Sequence, residues 1–190
     1  GIPRDGYGTL FRNLLNHPNI EVHLGVNFFE IRNQIPASCK IIYTGMVDQF
    51  FDYCFGALDW RSLHFEWETK NLADWQGTAV MNYADEEIPY TRIHEFKHYH
   101  PERKTVFNSD KTVICREYSK TYTPGKDAYY PINNAENNRK YEQYQALTKE
   151  NTRIILAGRL ANYRYWDMDK AVNNSLYLFE QIKKDFENGR

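Results

Sequence analysis

Three cysteines in 190 residues, none of them in a CxxC pair, exclude a disulfide framework and a structural zinc cluster. Cys39, Cys54 and Cys115 are odd in number and widely spaced, which fits a reducing cytoplasm. The 10 glycines never form G-x-G-x-x-G or G-x-x-x-x-G-K, so the chain has no phosphate-cradling loop of its own. There is no G-x-S-x-G elbow, and no cysteine sits in a recognisable nucleophile context. An excess of one charge is also missing. The balance of 24 Lys+Arg against 25 Asp+Glu gives no global electrostatic footprint for nucleic acid or a membrane surface. Apolar runs stop after a few residues, as at 154–157, which excludes a transmembrane helix. No basic-then-apolar leader opens the chain, and Gly1 stands where a methionine would, as in a piece of a longer polypeptide.

What the chain does have is a globular balance, 42% hydrophobic and 26% charged, and enough length for one domain or two with a real core. It is rich in aromatics, with 15 Tyr, 11 Phe and 4 Trp, and tyrosine supplies flat apolar area with a hydroxyl, suited to cores and polar ligand pockets alike.

Periodicity predicts a helix over residues 6–16, where Leu10, Phe11, Leu14 and Leu15 form one apolar stripe stopped by His17-Pro18. Ile20, Val22 and Leu24 alternate like a strand, and 40–44 reads as a short strand closed by Gly45. The aromatic stretch 48–55 reads as one or two helical turns. Strands are predicted at 61–70, 76–83, 91–98 and 111–118, with short polar connections, as in an antiparallel meander. A polar helix is expected over 136–149 and a strand over 153–157. A last helix starts at Asp167, which can cap it, and shows Val172, Leu176, Phe179, Ile182 and Phe186 on one face. The predicted class is therefore α+β: an antiparallel meander with flanking helices, plus strands and helices of an incomplete α/β layer.

His94-Glu95-Phe96-Lys97-His98 matches H-E-x-x-H. That zinc motif needs a helix to bring both histidines to one face. Alternation over 91–98 predicts a strand instead, which would hold the two rings about 13 Å apart. No metal site is expected. The stretch 158–169, between a strand and a helix, crowds Arg159 and Arg164 with Tyr163 and Tyr165. Such a junction suits a phosphate or a flavin oxygen, and equally suits an aromatic turn that packs the helix. Asn82, Arg92, Tyr129 and Tyr130 would join it in a diphosphate pocket if the meander abuts the α/β layer, since arginine forks and tyrosine hydroxyls grip phosphate oxygens.

The segments 42–48 (IYTGMVD), 55–63 (FGALDWRSL), 89–98 (PYTRIHEFKH), 129–131 (YYP) and 158–169 (GRLANYRYWDMD) together resemble the UDP-galactopyranose mutase family, in its order and spacing. The resemblance implies a flavoenzyme that interconverts UDP-galactopyranose and UDP-galactofuranose for surface polysaccharides, through a reduced-flavin N5–sugar adduct. It implies FAD as cofactor, no nucleic-acid partner, no membrane insertion and a cytoplasmic location. Arg92, Arg159 and Asp167 resemble catalytic residues of the family. Asn82, Arg92, Tyr130 and Tyr165 resemble its substrate-binding residues. Arg159, Trp166, Asp167, Met168, Asp169 and Lys170 resemble the cofactor edge. Three segments follow: 1–45 in the FAD-binding α/β layer, 46–150 as an antiparallel-sheet substrate domain, and 151–190 as the strand, flavin-contacting loop and final helix of that layer.

Members of the family begin with a G-x-G-x-x-G Rossmann unit and a helical domain, and neither is present here. The chain therefore resembles the C-terminal half, expected to be inactive alone, to retain FAD poorly, and to expose apolar surface through which a homodimer could form. A non-catalytic sugar-nucleotide-binding module and an amine-oxidase-like flavoprotein fragment are the alternatives.

Overall fold

A computed structural model describes residues 2–188. In chain order the elements are α1 (Gly6–Leu15), α2 (Phe28–Ile31), β1 (Ile41–Tyr43), α3 (Val47–Phe50), β2 (Trp60–Lys70), β3 (Val80–Asn82) and β4 (Arg92–Glu95). Then come α4 (Lys104–Phe107), β5 (Thr112–Thr121), β6 (Tyr130–Pro131), α5 (Ala135–Glu150), β7 (Ile154–Leu156), α6 (Gly158–Ala161) and α7 (Met168–Glu187). The class is α+β, as the sequence predicts. Five strands form one sheet in the order β3-β4-β5-β2-β6, and β1 pairs with β7 in parallel. A plain meander holds only for β3-β4-β5, because β2 lies between β5 and β6.

The chain divides into two compact units, residues 1–36 with 64–119, and residues 37–63 with 120–190. In the first, Ile93 and Ile114 are buried, and the antiparallel register sets Arg92 opposite Glu117 and His94 opposite Cys115. The predicted strand 91–98 ends at Glu95, and a 3₁₀ turn, Phe96–Tyr99, takes over. The reason is local. The Glu95 carboxylate, fully buried, accepts the N–H groups of Trp75 and Gln76 at 3.0 and 2.9 Å. Lys97 donates to the carbonyls of Ala73 and Ser109 at 2.6 and 2.9 Å. These bonds tie the turn to its neighbours and bend the chain away from strand geometry. They also confine the predicted strand 76–83 to three residues, since Gln76 belongs to the same knot. The segment 20–24 is irregular, not the predicted strand, and Leu24 is 88% exposed; no strand among the described residues pairs with it.

In the second unit the core is Met46, Val47, Leu58, Trp60, Tyr141, Tyr144 and Tyr163. Trp60 meets Tyr163 edge-on with ring centres 4.9 Å apart. An aromatic core of this kind explains how the polar helix α5 is held. Its buried face is Asn137, Tyr141 and Tyr144, spaced at i, i+4 and i+7, so hydroxyl-bearing rings replace the usual aliphatic stripe. Asp48 is wholly buried and accepts the N–H groups of Leu58 and Gln49 at 2.9 and 3.0 Å, which closes the loop after α3. Two glycines are dictated by geometry. A Cβ on Gly45 would strike the Tyr43 ring, and Gly158 turns the chain from β7 into α6 at φ +76°.

The two long helical stripes read from the sequence are formed but left uncovered. Phe11 and Leu14 on α1, and Val172, Leu176, Phe179 and Phe186 on α7, are all more than half exposed. Asp167 occupies the N-cap position of α7 with extended backbone, but its side chain makes no capping hydrogen bond, contrary to the predicted cap.

Candidate functional site

In the first unit β3 and β4 place Asn82 directly opposite Arg92, and Arg92 Nε donates to Asn82 Oδ1 at 2.8 Å. Arg92 Nη1 lies 3.6 Å from Glu117 Oε2, an ion pair rather than a hydrogen bond. The same oxygen lies 3.3 Å from His94 Nε2, and His94 Nδ1 is 2.7 Å from the Tyr99 hydroxyl. Burial raises the Tyr99 phenol above its ordinary value, with Glu117 adding to the rise and Arg92 opposing it. Asn82, Arg92, Glu117, His94 and Tyr99 thus form one row of polar contacts. Beside it lies a cavity of about 1080 Å³, lined by Phe65, Trp67, Phe96, Val113, His94 and Glu117 among others.

The two histidines of H-E-x-x-H part company. His94 faces Tyr99 and Glu117, while His98 Nε2 lies 3.3 Å from Asp74 and 3.5 Å from Glu95. Asp74, Glu95 and His98 bring one ligand atom each within 4.8 Å of one another. Both Glu95 oxygens already accept backbone N–H groups, so this cluster reads as the lock on the 73–77 loop.

In the second unit Tyr130 and Tyr165 stack with ring centres 5.3 Å apart, and the Arg159 guanidinium lies over both rings at 4.7 and 4.8 Å. Arg159 Nε and Nη2 are buried and have no hydrogen-bond partner among the described residues. Buried N–H donors left unmatched cost free energy, so a guanidinium held this way fits an acceptor-bearing ligand such as a phosphate or a flavin ring carbonyl. The residues present therefore suit FAD at this edge. Tyr163 holds the loop from behind. Its hydroxyl is 2.6 Å from the Asp59 carbonyl and 3.0 Å from that of Ile132, and burial raises its pKa strongly. Its backbone is left-handed, at φ 46°. Trp166 is half-buried, while Asp167, Met168, Asp169 and Lys170 are exposed at the start of α7.

The structure therefore joins Asn82 to Arg92, and Arg159 to Tyr130 and Tyr165. Glu117 and Tyr99 were not singled out by the sequence, and His94 only as a zinc candidate. One signal was available: Glu117 continues the Val113, Cys115 parity of β5, an acid on the face of a strand whose register meets Arg92.

A family model described as UDP-galactopyranose mutase matches residues 1–165. The dTDP-fucopyranose mutase of Escherichia coli is 40% identical over 180 residues, covering 93% of this chain and 47% of that protein. The UDP-galactopyranose mutase of Mycoplasma pneumoniae is 34% identical over 194 residues, covering 96% and 48%. A probable UDP-galactopyranose mutase of Klebsiella pneumoniae is 33% identical over 189 residues, covering 99% and 47%. The chain spans about half the length of the curated relatives it matches.

Proposed function

The chain belongs to the UDP-galactopyranose mutase family, and from that premise we propose that it is the C-terminal portion of a flavin-dependent mutase interconverting UDP-galactopyranose and UDP-galactofuranose for surface polysaccharides. The observation that carries this reading is Arg159, laid over Tyr130 and Tyr165 with two buried N–H donors unmatched. In this reading residues 1–45 and 151–190 belong to the FAD-binding layer and 46–150 to the substrate domain.

The chemistry supplied by bound reduced FAD is nucleophilic attack at the anomeric carbon of the sugar. The chain's own residues do the rest. Arg159, with Trp166, Asp167, Met168, Asp169 and Lys170, would hold the cofactor, the guanidinium supplying donors to an acceptor on it. Arg92, its Nε held by Asn82, offers its remaining donors to the diphosphate. As UDP departs, negative charge grows on the diphosphate, and donors already fixed in place stabilise it without reorganising. Asp167, exposed at the head of α7, is the acidic group beside the reacting centre. In this reading the mutase reaction belongs to the complete protein. Three free cysteines fit a cytoplasmic location, and no helix among the described residues is long and apolar enough to cross a membrane.

A second substrate is favoured by one finding, the 40% identity to a dTDP-fucopyranose mutase. Both sugars are nucleoside diphosphopyranoses, and the residues named here address the diphosphate that they share. The test is turnover of each by the complete protein, wild type and Arg92→Ala. The reading expects Arg92→Ala to keep its flavin and lose most activity; near-normal turnover would overturn the assignment of Arg92. Turnover of dTDP-fucopyranose alone would move the substrate to the second reading.

A further inference from the structure

We propose that His94 is a positioning residue that acts through Glu117 to fix the orientation of Arg92, so that the Arg92–Glu117 pair stays at ion-pair distance and the remaining guanidinium donors stay available for a diphosphate. The inference rests on the reading of Arg92 as a diphosphate-binding residue and adds a residue that this reading does not contain.

Glu117 is 9% exposed at its side chain, so its carboxylate must find partners within the protein. Its backbone is pinned beside Arg92, because the Glu117 carbonyl accepts both the N–H and the hydroxyl of Thr91, at 2.8 and 3.1 Å. The Oε2 atom then meets Arg92 Nη1 at 3.6 Å and His94 Nε2 at 3.3 Å. A carboxylate oxygen only accepts, so Nε2 carries a proton toward Glu117, and Nδ1 lies 2.7 Å from the Tyr99 hydroxyl, which can donate or accept. Tyr99 holds the other side of the ring, and Phe96 lies stacked alongside it at 6.0 Å.

The consequence lies in what His94 is not. An apolar residue there would leave Arg92 as the one side-chain partner of Glu117 Oε2 among the described residues. The guanidinium would then be drawn into a bidentate pair, the strong geometry for arginine and carboxylate, and turned from the ligand. A lysine would neutralise Glu117 and release Arg92. An imidazole N–H occupies the oxygen from one side while Arg92 Nη1 stays 3.6 Å away. Arg92 is held at arm's length, with Asn82 fixing Nε and 38% of its side chain still exposed.

The test uses this chain, with two readouts. One is the protection of the Arg92 Nε–H against solvent exchange, followed by NMR, and the other is the dissociation constant for UDP by calorimetry. His94→Leu is expected to change Nε–H protection by about tenfold and to weaken UDP by about tenfold, the scale of one charge-assisted hydrogen bond. His94→Gln, whose amide N–H can reach Glu117, should restore both. In a Glu117→Gln background, His94→Leu should change neither, because the coupling runs through that carboxylate. The proposal is overturned if His94→Leu leaves Nε–H protection unchanged, or if its effect survives in Glu117→Gln. If His94→Leu fails to fold, His94→Gln decides: a loss of Arg92 protection there overturns the role. If UDP binds no form of this chain, the binding comparison is made on the complete protein, where an unchanged dissociation constant in Arg92→Ala would overturn the diphosphate reading, while the Nε–H protection decides the role of His94.

Discussion

Replacing Arg159 by methionine separates a residue held for structure from one held for a ligand. The guanidinium lies 4.7 and 4.8 Å from the Tyr130 and Tyr165 ring centres. Two cation–π contacts at a partly exposed site contribute about 0.5–1 kcal/mol each, so their loss costs about 1–2 kcal/mol. Against this stand the buried Nε and Nη2, whose unmatched donors each cost about 1–3 kcal/mol and disappear with the guanidinium. Methionine keeps an unbranched stem and a sulfur that packs favourably on rings. Relief of the two donors, about 2–6 kcal/mol together, outweighs or at least offsets the lost contacts, so urea denaturation of Arg159→Met should give a stability equal to or above wild type. Flavin retention by the complete protein, measured from its visible absorbance, should fall by at least about tenfold, the scale of a lost charge-assisted contact. A destabilisation beyond about 3 kcal/mol would show that the arginine is structural, outside the range these terms allow. Unchanged flavin retention would refute its place at the cofactor edge.

Other outcomes follow from the same contacts. Tyr163→Phe removes a buried hydroxyl from the Asp59 and Ile132 carbonyls and should cost about 1–2 kcal/mol in urea denaturation; less than about 0.5 kcal/mol would mean those bonds add nothing. Burial raises the Asp48 pKa above its ordinary 3.8, outweighing its bonds to the Leu58 and Gln49 N–H groups. A raised folded pKa means its contribution to stability is full below that ordinary value and declines as pH rises through the folded pKa. Thermal melts from pH 3 upward should show that decline in the wild type and less of it in Asp48→Asn; parallel profiles would refute it. Lys97→Met orphans the carbonyls of Ala73 and Ser109 while filling the same space, and should cost about 1–3 kcal/mol by denaturation, with no loss counting against the lysine as a staple.

The α+β class was legible from alternation and spacing, as were the strand before and the helix after 158–169, although the first four residues of that stretch form the short helix α6. So was the amphipathic pattern of α1 and α7, because a helical stripe is a property of one segment. The same logic explains the misses. Residues 20–24 alternate correctly, but a strand exists only where another strand accepts its hydrogen bonds, and none does among the described residues. The α5 helix looks surface-bound because its buried positions are Asn137, Tyr141 and Tyr144, and nothing local says that these tyrosines face a core.

H-E-x-x-H shows the division most clearly. Its letters suggest metal and its alternation suggests a strand, yet the outcome depends on groups far along the chain. Trp75 and Gln76 claim Glu95, Ala73 and Ser109 claim Lys97, and Glu117 claims His94. The sequence by itself determined the α+β class and the amphipathic stripes of the long helices, and it supplied the arginines and tyrosines that the proposed function uses. Only the tertiary structure decided that Arg92 shares Glu117 with a histidine and that Arg159 keeps two donors unmatched over stacked rings. Periodicity is written in neighbouring residues, whereas the partner of a buried charge is chosen by sheet register and loop closure, which bring together residues dozens of positions apart.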